Sequence, residues 1–164
     1  KIEGFAFLPI TSFMMALTTF VSQNRGAKEY ERARKGAHFG LVCSVSLAET
    51  IGVLIALFAT PLMRLFVDDP QVIQYGVERA HYATILFFLL AYSHGVSAVL
   101  RGVGKSVVPM FVMLVCWCLV RVTLLTMLNM LFHNILFVYL IYPFTWSLSS
   151  IVFFLYYRKI NWQE

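Results

Sequence analysis

Five stretches of this chain are too long and too apolar for a water-soluble domain, and they recur from one end to the other. Residues 5–22 hold no Asp, Glu, Lys or Arg, and neither do residues 82–100. The hydrocarbon core of a bilayer, about 30 Å thick, needs roughly 20 apolar residues in helix. On that measure spans are expected at about residues 2–24, 37–63, 78–100, 107–132 and 135–157. Only 13% of the 164 residues are charged and 60% are hydrophobic, against about 25% charged in a soluble domain. The expected fold class is all-α, a polytopic membrane helix bundle with five transmembrane helices.

What separates these stretches sets their orientation. In residues 23–36, seven of fourteen residues are charged and five of those are basic: Arg25, Lys28, Arg32, Arg34 and Lys35. Following the spans in order, Arg101, Lys105, Arg158 and Lys159 emerge on the same side. The opposite side holds Lys1, Arg64 and Arg79, offset by Glu3, Asp68, Asp69 and Glu78. Cytoplasmic loops carry the excess of Lys and Arg, so residues 25–36 and the C-terminus are expected inside and the N-terminal end outside. The same asymmetry accounts for the net charge of +5 without nucleic acid. Asp69 before Pro70 marks a helix start, with a carboxylate at the N-cap and proline where its missing N–H costs nothing. Pro61 is expected to mark the far end of the second span, and His133-Asn134 to form a minimal connection between the last two.

Reaction-specific motifs fail one by one. Gly104-Lys105-Ser106 ends like a phosphate-binding loop, but Val99 stands where the first glycine belongs. Gly102-Val103-Gly104 opens like a dinucleotide fingerprint, but Val107 replaces its third glycine and no strand precedes it. His38, His81, His94 and His133 are scattered over loop edges and separate spans, not at metal-ligand spacing. Cys43, Cys116 and Cys118 all fall in apolar stretches, where buried free thiols are expected. No enzyme activity, cofactor or metal is expected.

Charges within the spans are the functional candidates, because they are costly in lipid. Glu49 lies fourteen residues beyond Lys35, and Arg121 sixteen beyond Lys105. At about 1.5 Å per residue both sit roughly 21–24 Å from their basic anchors. Equal depth permits a Glu49–Arg121 pair bridging two helices. Alternatively they line a polar cavity, with Glu49 exchanging a proton or facing a cationic substrate. His94 adds a group able to titrate near neutral pH, or simply a helix–helix contact. Trp117, Tyr142, Phe144 and Trp146 offer a cation-binding wall, against the plainer roles of packing and lipid contact.

Several stretches, in order, resemble the multidrug and toxic compound extrusion (MATE) transporters. Gln23-Asn24-Arg25-Gly26-Ala27 with Glu31-Arg32-Ala33-Arg34-Lys35-Gly36 matches the loop after the second helix of each half of that family. Pro61-Leu62-Met63-Arg64-Leu65-Phe66 with Asp69 matches the next external loop, and Arg101-Gly102-Val103-Gly104 the following cytoplasmic turn. Tyr142-Pro143-Phe144-Thr145-Trp146 resembles the ending of the C-terminal half. The resemblance implies that residues 1–164 are part of a C-terminal six-helix lobe, truncated before its second helix: the last five of twelve helices. It further implies an antiporter of the plasma membrane that exports organic cations or drugs against inward H⁺ or Na⁺. The partners implied are the lipid bilayer, small organic substrates, the preceding helix and an N-terminal lobe. Without those helices the piece is not expected to transport. Gln23, Asn24, Gly26, Ala27, Arg101, Gly102 and Gly104 carry over as structural matches, away from substrate. Two alternatives remain: a lipid-linked saccharide flippase of the same superfamily, and a non-transporting membrane interaction module.

Overall fold

A computed structural model of the chain describes residues 2–132 and 135–163. The connection expected at His133-Asn134 and the terminal residues Lys1 and Glu164 lie outside the described residues. The described chain is helical, with no strand. Its elements are α1 (Ile2–Gly26), α2 (Tyr30–Leu57), α3 (Ala59–Arg64), α4 (Pro70–Thr84) and α5 (Phe87–Gly102). They continue as α6 (Val107–Met113), a π-helical segment (Leu114–Val120), α7 (Arg121–Phe132) and α8 (Ile135–Arg158).

Among the described residues, three helical stretches are long and apolar enough to cross a membrane: Tyr30–Leu57, Val107–Leu131 and Phe137–Arg158. The pair α4 and α5, bent by 56° at their junction, makes a fourth if taken as one broken span. Large apolar side chains point outward all round, among them Met15, Phe39, Leu57, Leu119 and Met130. In water such a surface would aggregate. Against lipid it is the expected exterior, and the molecule is a polytopic helical membrane bundle.

The core forms where α1, α2 and α5 pack together, with α8 against the far side of α5. Helix α1 buries Ile10, Met14, Leu17 and Val21, which recur every three or four residues and so share one face. Helix α2 packs into the core with a stripe of small residues, Ala33, Ala37, Gly40, Ser44, Ala48 and Gly52, of which Gly40 faces Leu17 of α1 and Gly52 faces Thr84 and Phe87. Lipid tails are as apolar as leucine, so helices in a bilayer associate through close packing and interhelical hydrogen bonds. Small residues permit the close approach. The α1–α5 crossing shows both devices. Gly102 lies so close to α1 that a Cβ there would stand 2.8 Å from Val21 Cβ and 2.9 Å from the Thr18 carbonyl. One turn away, the Thr18 hydroxyl donates to the Ala98 carbonyl across the interface at 3.1 Å.

The family-like turns lie at the ends of these same two helices. After α1 the Glu29 N–H reaches back to the Asn24 carbonyl (2.8 Å) and the Lys28 N–H to that of Arg25 (3.0 Å). After α5 the Lys105 N–H reaches Leu100 (2.8 Å) and the Gly104 N–H reaches Arg101 (3.0 Å). Both are Schellman closures, which require a left-handed residue after the helix. Gly104 supplies it after α5 with φ of 81°, and Lys28 after α1 with φ of 61°. Gly26 is therefore not the left-handed residue of its turn. An Arg25 guanidinium nitrogen donates to the Val103 carbonyl and ties the two turns together.

Two expectations need correction. The second expected span, 37–63, is not one helix: it breaks at Phe58, and Pro61 falls in the first turn of α3 rather than at a helix end. That turn has no intrahelical use for the N–H that proline lacks. The third, 78–100, divides between α4 and α5 at Ile85 and Leu86. As the sequence predicts, Asp69 caps α4: its side chain accepts from the Gln71 N–H at 2.9 Å, and Pro70 opens the helix.

Candidate functional site

A cleft of about 260 Å³ opens between α1, α5, the π-helical segment, α7 and α8. Five aromatic rings line it, those of Phe7, Phe87, Trp117, Tyr142 and Trp146, with Arg121 among them. Helix α8 contributes one face to this region. Tyr142, Thr145, Trp146 and Ser149 recur at intervals of three and four, and the last three are buried. Trp117 lies within the π-helical segment, whose wider turns often mark functional positions in helices. Arg121 follows immediately as the first residue of α7.

The Arg121 guanidinium is held from several sides. Its centre lies 5.0 Å from the Trp117 ring centroid and 4.7 Å from that of Tyr142. Its Nε and Nη2 donate to the Thr145 hydroxyl at 3.2 and 2.6 Å. That hydroxyl in turn donates to the Tyr142 carbonyl at 2.9 Å, which leaves its lone pairs for the guanidinium. A second guanidinium, that of Arg79, lies 5.0 Å from the Tyr142 centroid.

Behind the rings, hydroxyl groups join α5 to α8. The Ser93 hydroxyl lies 3.0 Å from that of Ser149 and 2.9 Å from that of Ser150. Ser150 also donates to the Leu89 carbonyl at 3.0 Å. The Trp117 indole N–H donates to the Ser149 hydroxyl at 3.2 Å, so the same network fixes the largest wall of the cleft. His94 stands edge-on to Trp117 and Phe7, with centroids 5.0 and 4.9 Å away. Its Nε2 is shut off from solvent and has no hydrogen-bond partner among the described residues.

The three intramembrane candidates thus divide. Arg121 lines the cleft and His94 backs it, both against Trp117. Glu49 is elsewhere. Its Oε2 accepts from the Phe88 N–H at 3.2 Å, at the start of α5. Leu86, the residue before that helix, makes no side-chain cap. The carboxylate on α2 therefore serves the exposed N-terminus of the half-helix that the α4–α5 break creates, where unpaired N–H groups and the helix dipole favour an anion. Among the described residues no Glu49–Arg121 ion pair forms: Glu49 meets the start of α5 and Arg121 meets Thr145.

Other sequence expectations redistribute as well. Trp117, Tyr142 and Trp146 belong to the aromatic wall, but Phe144 is exposed and lies off it. Cys43 is half-buried and Cys116 buried, whereas Cys118 is exposed, which corrects the expectation of three buried thiols. Ser149 and Phe7 were not singled out from the sequence, and Thr145 only as part of the Tyr142 to Trp146 stretch. For the α8 residues a signal existed, since their spacing places them on the face of Trp146. For Phe7 there was none.

The family-motif residues form a separate cluster at the ends of α1 and α5. The Asn24 side-chain amide donates to the Phe20 carbonyl at 2.8 Å, and Arg101 to the Ser97 hydroxyl at 2.9 Å. The Gln23 carbonyl accepts from the Ala27 N–H at 3.0 Å. Gly26, Arg101, Gly102 and Gly104 border an open cavity of about 470 Å³ with Ser22, Arg25 and Tyr30. None of them lines the aromatic cleft.

Comparison with known proteins gives a consistent result. The family profile of MatE matches residues 1–127. A probable multidrug resistance protein NorM of Thermotoga maritima is 30% identical over 112 residues, 68% of this chain and 24% of that protein. Another, from Chromobacterium violaceum, is 29% identical over 101 residues, 62% of this chain and 22% of that protein. The matched stretch thus spans about a quarter of the length of these curated relatives.

Proposed function

This chain belongs to the MatE family of transporters, and from that premise we propose that it forms part of a secondary active antiporter, exporting small amphipathic organic compounds, organic cations among them, against an inward H⁺ or Na⁺ gradient. In this reading it is a multi-pass protein of the plasma membrane. Residues 25–36 and the C-terminal end of α8 face the cytoplasm, and the start of α1 faces outward, as the Lys and Arg asymmetry argues. Its partners are further helices of the same transporter, including an N-terminal lobe that would share a central cavity with this one.

The observation that carries the reading is the aromatic cleft around Arg121. A helix bundle built only to span or to assemble has no use for an intramembrane guanidinium oriented by Thr145 among five aromatic rings, since charge within the hydrocarbon region is costly. Aromatic walls with a few convergent polar groups are the usual composition of a small-molecule site.

The test is ethidium efflux from cells expressing the full-length protein, with and without a protonophore and with and without external Na⁺. Efflux should collapse when one of the two gradients is removed. Efflux indifferent to both would remove the antiporter reading.

A further inference from the structure

We propose that a groove between the basic start of α2 and the end of α8 holds an anionic glycerophospholipid. Its phosphate lies on Arg34 and His38, and its acyl chains lie on Phe39 and Val42. Such a site requires only a chain that spans a bilayer, and it stands apart from the antiporter reading. The groove measures about 600 Å³, within the range of ligand sites. Residues of α2 from Glu31 to Val42 line one side, and Tyr157 of α8 lines the other.

Order along α2 is what points to a lipid. Arg34, His38 and Val42 recur every four residues and so share a face of the helix. Cations come first along that face, and apolar side chains follow directly. At about 1.5 Å per residue, Arg34 and His38 are roughly 6 Å apart along the axis. That is about the depth of one headgroup layer, roughly 5–8 Å. Val42 lies the same distance further on, at the level of hydrocarbon. Phe39 and Val42 are 71% and 52% exposed, so an acyl chain can lie along them. A free phosphate would use only the upper half of this groove, and an uncharged diacylglycerol only the lower.

The charges of the groove favour a phosphate. Arg34, Lys35 and His38 line it against one carboxylate, that of Glu31. The Lys35 Nζ meets that carboxylate at 2.7 Å, so the charge left over in the lining is that of Arg34. His38, one turn deeper, adds a ring N–H as a further donor. Guanidinium N–H groups match phosphate oxygens in fork geometry. Basic pockets between membrane helices on the cytoplasmic side suit anionic headgroups, and this groove lies on the side where Lys and Arg accumulate. Its far wall is fixed. Tyr157 packs against the core of α1, α2 and α5 and meets Trp162 edge-on at 6.3 Å between centroids. Such amphipathic rings settle at headgroup level.

Photo-crosslinking of the full-length protein tests this. The protein is held in phosphatidylcholine nanodiscs with a trace of phosphatidylglycerol that carries a diazirine near the start of one acyl chain. Adducts are mapped by peptide mass spectrometry, in about 0.5 M salt to screen diffuse attraction. They should fall on α2 between His38 and Val42 and around Tyr157. Phosphatidylcholine with the same diazirine should label these positions at least about tenfold less, the effect of one charge-assisted hydrogen bond. Unlabelled phosphatidylglycerol mixed into the discs should displace the label, whereas diacylglycerol in the discs or glycerophosphate in solution should not. Combining Arg34→Gln with His38→Gln should lower the yield at least about tenfold. Arg32→Gln, a loss of charge outside the groove, should leave it within about twofold at that salt. All three side chains are exposed, so these substitutions spare the core. Equal labelling by the two lipids, displacement by diacylglycerol or glycerophosphate, or an absence of adducts at these positions would each overturn the proposal. So would a loss with Arg32→Gln as large as with the double variant.

Discussion

At the scale of single residues, Glu49 shows how a costly charge can be put to structural use. It accepts the Phe88 N–H at the head of α5, where lipid offers no alternative acceptor. Replacing it by alanine leaves that N–H unpaired, with an expected loss of about 1–3 kcal/mol. Glu49→Gln keeps a side-chain carbonyl at the same place. We therefore predict that the glutamine variant of the full-length protein melts within a few degrees of wild type and retains ethidium efflux, while Glu49→Ala melts clearly lower. A glutamine variant that is stable but has lost efflux would instead assign the carboxylate to proton or cation exchange.

At the scale of elements, the family-like glycines have different physical meanings. Gly102 is the contact point of α1 and α5: alanine there drives a methyl group into the Thr18 carbonyl and Val21, and neither can yield without moving a helix. Overpacking of this kind costs about 1–3 kcal/mol. Gly26 has nothing within 4 Å of its would-be Cβ and no left-handed backbone. Alanine should be tolerated there, or should even stabilise the last turn of α1 by about 0.5–1 kcal/mol. Thermal unfolding of Gly102→Ala and Gly26→Ala side by side checks the contrast. If both lose stability equally, the role assigned to the α1–α5 crossing is wrong. The break between α4 and α5 belongs to the same scale: it exposes an N-terminus inside the bundle and creates the need that Glu49 meets.

At the scale of the whole molecule, the arrangement is three-helix packing of α1, α2 and α5 with α8 closing the aromatic cleft on the other side of α5. Helix α5 therefore touches both the family-like turns and the cleft: Gly102 and Gly104 at one end, Phe87 and Leu90 at the other. The proposed topology makes a direct prediction. In full-length protein with Cys43, Cys116 and Cys118 replaced by alanine, a cysteine introduced at Lys105 should react with a membrane-impermeant thiol reagent only in inside-out vesicles. A cysteine at Asp68 should react only in right-side-out vesicles. The reverse pattern would invert the orientation and, with it, the direction of transport.

Lengths of apolar runs and the residues of the turns are local along the chain, and the sequence by itself determined them. The cap at Asp69 and the family-like turns could be placed from neighbouring residues alone. Depth within a helix is also local, because rise accumulates linearly with residue number, so Glu49 and Arg121 could be set at one level. Which way each faces could not. A single break, such as that at Ile85 and Leu86, or a π-helical turn, such as that before Arg121, rotates everything after it relative to its neighbours. The tertiary structure alone decided that Glu49 meets the backbone of α5 while Arg121 meets Thr145, Trp117 and Tyr142. It also decided that Phe7, far away in sequence, lines the same cleft. Those pairings depend on how helices are turned about their axes and which ones lie side by side, and neither quantity is written in any one stretch of the chain.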